Sequence, residues 1–129
     1  MKSSDLNSLL IGNSSGEDLQ RITQEEVSSY GKLIGKKGST IPIYFYEDEE
    51  IMLNDEAIKK LLLEALSGNL SKIHLAYICD CLTLGEKVHF ENENLKDLIF
   101  EIADPEINGG YKTNSELIRI IENFSFDES

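Results

Sequence analysis

Residues 70–84 constrain the fold of this chain more than any other stretch. Leu70, Ile73, Tyr77, Ile78 and Cys81 fall on one stripe of a helix, and Leu75, Ala76 and Leu82 lie off that stripe. A helix that is apolar round much of its circumference has to be covered on several sides. The rest of the chain must therefore be built around it. Gly85 is placed to end it.

The flanking segments supply that cover. Asn54 caps the clearest amphipathic helix, with Asp55 and Glu56 at its positive end and Ile58, Leu61, Leu62, Ala65 and Leu66 as its stripe. Leu53 and Ile58 have the spacing of a hydrophobic staple, and Gly68 stops the helix. Ser14 or Ser15 caps a helix over about 17–30, with Leu19, Ile22, Val27 and Tyr30 inward. Leu95, Leu98, Ile99 and Ile102 give another inner face, which must stop near Asp104 because Pro105 follows. Thr113 and Glu116 form a capping box for a last helix with Leu117, Ile120, Ile121 and Phe124 inward.

Strand signals are few. Residues 41–46 are β-branched and aromatic, with Pro42 placing them on an edge. Residues 47–50 form an acidic turn, after which Ile51–Leu53 pairs back. Val88-His89-Phe90 alternates like a short strand or an extended link. The expected fold is mainly α with a minor short β element. It is a single-domain bundle of four to six helices over residues 1–129, with an edge hairpin at 41–53. Residues 1–16 read as a short helix or a flexible arm, and 125–129 as a frayed tail.

Charge is the second constraint. The chain has 24 acidic and 12 basic residues, a net charge of −12. Residues 1–40 hold five of each sign, so residues 41–129 carry the whole imbalance. Nucleic acid and anionic membranes are repelled by such a surface, whereas a basic protein is drawn to it. No apolar run near the N-terminus is long enough for a signal peptide, and none is long enough to span a membrane. Cys79 and Cys81 are spaced so that on a helix they face apart, which disfavours a mutual disulfide. A reducing cytoplasm is the expected location.

Four motifs invite a chemical reading and each falls short. Gly35-Lys36-Lys37-Gly38 matches the backbone-clamping loop of KH domains, but Pro42 and an aromatic run follow where a helix should. It is not a Walker loop either, since Gly31 to Gly35 is one residue too short. Asp104, Glu106, Asn108 and Gly109 start like a calcium loop, yet the bidentate acid falls on Ser115, with Glu116 one residue late. His74, Cys79, Cys81 and His89 match no zinc spacing, and a Cys–His nucleophile lacks an evident orienting group. Paired carboxylates are abundant enough among 24 acids to arise by chance. No catalytic residue, cofactor or metal is assigned.

The stretches Tyr77-Ile78-Cys79-Asp80-Cys81-Leu82-Thr83-Leu84, Val88-His89-Phe90-Glu91-Asn92-Glu93 and Ile99-Phe100-Glu101-Ile102-Ala103-Asp104-Pro105-Glu106-Ile107-Asn108-Gly109 resemble a pattern in small bacterial immunity proteins. Such proteins are encoded beside polymorphic or contact-dependent growth inhibition toxins. The resemblance spans roughly residues 70–124 and brings no catalytic residues. It implies non-enzymatic neutralisation of a cognate toxin, and the acidity suits a basic nuclease domain that must itself hold phosphates. The expected interface is Tyr44 and Tyr46, the turn Glu47, Asp48, Glu49 and Glu50, and the acids Asp80, Glu86, Glu91 and Glu93. The alternative is an acidic interaction or regulatory module unrelated to toxins.

Overall fold

The computed structural model describes residues 1–33, 43–103 and 110–127. Within them the chain is mainly helical with one small sheet, the class expected from its patterning. The elements are α1 (Ser3–Leu10), α2 (Gly16–Ile22), α3 (Gln24–Leu33), β1 (Ile51–Leu53), α4 (Asp55–Leu66), α5 (Lys72–Leu84), β2 (Val88–Phe90), α6 (Glu93–Ile102) and α7 (Asn114–Asp127).

Helix α5 is the central element. Ser71 caps it, accepting the His74 N–H. The six consecutive residues from His74 to Cys79 are all buried, more than one full turn, so every side is covered. Helices α3, α4 and α6 pack against it. Helix α4 joins this core to α1 and α7. Its Asn54 carboxamide accepts the Ala57 N–H at 2.9 Å, Leu53 and Ile58 are both buried at its start, and Gly68 takes the left-handed conformation (φ +88°) just past its end.

Several expectations are corrected. The helix expected over 17–30 is two helices meeting at Thr23, whose hydroxyl donates to the Leu19 carbonyl at 2.8 Å, a back-bond that favours a bend. Thr23 then starts α3 by accepting the Val27 N–H. Ile22, expected inside, is 57% exposed at this break. Ser15, of the two candidates, caps α2. Of the two readings of the N-terminal segment, the short helix is the one formed, as α1, with Leu6 and Leu9 fully buried in the core. The tail expected at 125–129 is helical as far as Asp127.

The edge hairpin is not formed among the described residues. Ile41 and Pro42 lie outside them. Ile51–Leu53 pairs in parallel with Val88–Phe90, in the register Ile51↔Val88, Met52↔His89 and Leu53↔Phe90. Both strands alternate, so this register puts four apolar side chains on the core face and Met52 and His89 on the outer face. Tyr46 forms only an isolated parallel bridge to Lys2.

Candidate partner interface

Residues 43–47 run with Ile43, Phe45 and Glu47 half-buried and Tyr44 and Tyr46 outward, 58% and 67% exposed. Their backbone is fixed at several points. The Tyr44 N–H donates to the Tyr77 hydroxyl at 3.0 Å, Tyr46 N–H to the Met1 carbonyl at 2.9 Å, and Ser3 N–H to the Tyr46 carbonyl at 2.9 Å. The two tyrosines thus stand solvent-facing on a fixed backbone. With Ile22, Asp5 and Glu26 they line an open groove of about 530 Å³.

The acidic turn is a clasp as much as a patch. Glu47 accepts the Glu86 and Lys87 N–H groups at 3.0 and 2.8 Å, while the Lys87 ammonium donates to the Glu47 carbonyl. Asp48 accepts the Ser4 hydroxyl at 2.6 Å and the Ser4 N–H at 2.9 Å, with the Ser3 hydroxyl also at 2.9 Å. Helix α1 has no side-chain cap of its own at Lys2, so Asp48 satisfies its first turn from a remote part of the chain. These donors, Ser4 first, hold the Asp48 carboxyl down at about 2. Asn7 donates to the Glu49 carboxylate and the Glu50 carbonyl, and the Glu50 carboxylate sits 3.5 Å from His89 Nε2.

Asp80 is likewise engaged inside the fold. It accepts the Tyr30 hydroxyl at 2.5 Å, and Tyr30 lies edge-on to Tyr77 with ring centroids 5.3 Å apart. Glu86, Glu91 and Glu93 are all exposed and flank β2. The ten expected interface residues therefore separate by geometry. Tyr44 and Tyr46 share a groove, and Glu47 ties that stretch to Glu86. Glu91 and Glu93 stand past the other end of β2, while Asp48 and Asp80 serve the fold.

Sequence reasoning passed over three residues. Met52 and Leu84 are each 66% exposed, on the sheet's outer face and at the end of α5. The alternation of Ile51, Met52 and Leu53 already points Met52 outward. Glu64 is a buried carboxylate that accepts from Asn69 at 2.6 Å and Gly16 N–H at 3.3 Å, with Lys60 also at 3.3 Å. Burial alone would raise it, but these partners outweigh burial and hold it below its ordinary value.

The soft ligands form no metal-binding group among the described residues. Cys79 and Cys81 are free thiols with no exposed surface, and burial pushes the Cys81 thiol up to about 12 and raises Cys79 as well. His74 is buried with its Nδ1 2.6 Å from Ser71 Oγ, and burial lowers its pKa. Among the described residues no group of three or more His, Cys, Asp or Glu could hold a metal, and no helix is long and apolar enough to cross a membrane. The Gly35–Gly38 loop and the acids at 104–108 lie outside the described residues. No family model matches the chain, and neither a curated protein nor a solved structure does.

Proposed function

We propose that this chain is a cytoplasmic immunity protein that binds a basic toxin domain, most simply a nuclease, and neutralises it by non-covalent occlusion. One observation carries the reading. Two exposed tyrosines on a hydrogen-bonded backbone and the exposed acids Glu86, Glu91 and Glu93 lie on stretches that the Glu47 clasp ties together. Aromatic anchors beside charge are what a specific protein interface uses. The imbalance of −12 carried by residues 41–129 steers a basic partner toward this body. The buried cysteines suit a role without thiol chemistry, since thiols at such pKa values are poor nucleophiles.

The test is co-expression with the product of the gene immediately upstream. The expected result is protection of the cells and an equimolar complex that survives gel filtration. Failure to protect, together with failure to bind, overturns the proposal.

A further inference from the structure

We propose that the outer edge of β2 docks an extended, basic segment of the partner, which adds to the sheet as a third strand; this rests on the protein-binding reading above. The ladder fixes which groups are available. Ile51 N–H donates to the Lys87 carbonyl at 3.0 Å and Glu91 N–H to the Leu53 carbonyl at 2.9 Å. Residues 87, 89 and 91 therefore face β1, and the N–H and C=O groups of Val88 and Phe90 point away from it. No described residue hydrogen-bonds to them, and both residues are only half-buried. Unpaired backbone groups in this alternation specify their occupant, an extended chain offering the complementary groups.

The opposite edge, along β1, is partly taken. There the Glu50 carbonyl already accepts from Asn7 Nδ2 at 2.9 Å. The charge beside β2 then selects among extended chains. Glu86, Glu91 and Glu93 stand exposed at its two ends; of the two bases between them, Lys87 is drawn to the Glu47 carbonyl and His89 faces the Glu50 carboxylate at 3.5 Å. A second copy of this chain would bring the same acids opposite each other, so the acids disfavour self-pairing through this edge. A segment alternating basic and β-branched residues meets both requirements.

The experiment uses the ¹⁵N-labelled protein and a blocked hexapeptide, acetyl-Lys-Val-Arg-Val-Lys-Val-amide. The Val88 and Phe90 amide signals are expected to move first on titration. A peptide N-methylated at alternate nitrogens, which keeps charge and side chains but loses backbone donors, should bind at least about fivefold more weakly. Val88→Pro should weaken binding by about the same factor, since the N–H it removes faces away from β1. Shifts confined to the Tyr44 and Tyr46 groove, or equal binding of the N-methylated peptide, overturn the inference. The N-methyl comparison is made on the unaltered protein, so it decides the question even if Val88→Pro unfolds. No toxin is present in this assay. A failed protection test therefore counts against the immunity reading alone, and a failed peptide test against the strand edge alone.

Discussion

His74 and Asp48 each contribute to how this protein responds to acid, alongside the depressed carboxylates Asp18, Glu64 and Glu116. His74 is buried, and burial lowers its pKa from the ordinary 6.5. The unfolded chain then binds more protons than the folded one just below pH 6.5, so stability falls as pH drops through that region. The urea midpoint of the unaltered protein should decline below about pH 6.5, and His74→Leu should flatten that slope. Asp48 acts lower down. Its ordinary 3.8 is depressed to about 2 by the Ser4 hydroxyl and N–H, so its contribution is complete above the unfolded value and is lost as pH falls from 3.8 toward 2. Asp48→Ala should lower the melting temperature at neutral pH and make the acid limb shallower without removing it, since Glu64 and Glu116 also titrate below their ordinary values, both read by circular dichroism. An unchanged acid limb would show that the Ser3 and Ser4 contacts do not tether α1.

At the scale of elements, close approach and capping are the levers. A Cβ on Gly85 would stand 2.6 Å from Val88 Cγ2 and 2.8 Å from Glu47 Oε1, atoms committed to β2 and to the clasp. A Cβ on Gly31 would meet only Ile73 Cδ1 at 2.6 Å, the end of a half-buried side chain that can turn aside. Gly85→Ala should therefore cost about 1–3 kcal/mol in chemical denaturation and Gly31→Ala less. Asn54→Ala, which removes the α4 cap, should cost about 1 kcal/mol. Equal losses from the two glycine variants would mean the clasp yields as easily as Ile73. The caps at Asn54 and Thr113 were legible in the sequence because donor and acceptor lie within three residues. The all-round burial of α5 was legible because it is a property of one helix. The parallel β1–β2 pairing was not, since nothing local to 51–53 names its partner. For the same reason the outward tyrosines could be read from alternation, while the tasks of Asp48 and Asp80 could not. Their partners, Ser4 and Tyr30, are 44 and 50 residues away in the chain.

At the scale of the molecule, the uneven charge separates approach from retention. The imbalance of −12 belongs to residues 41–129, so a field that would guide the proposed basic partner originates on that part of the chain. The structure changes which acids can test this. Reversing Glu47 or Asp48 would break the clasp or the α1 tether, and the resulting loss of binding would report on folding. Glu86 and Glu91 are exposed, and neither carboxylate caps a helix or clasps a loop in the described contacts, so Glu86→Lys with Glu91→Lys changes the field and leaves those contacts in place. In stopped-flow association with the proposed toxin partner, this double variant should slow the on-rate about tenfold at low ionic strength, with the difference shrinking as salt rises. Tyr44→Ala with Tyr46→Ala should act differently, speeding dissociation with little change in the salt dependence, because anchors hold a complex that charge only assembles. Glu17→Lys with Glu25→Lys, in the electrically balanced part of the chain, serves as the control and should alter the on-rate least. If that control slows association as much as the Glu86 and Glu91 pair, then net charge alone guides the partner and the acids around β2 hold no privileged position.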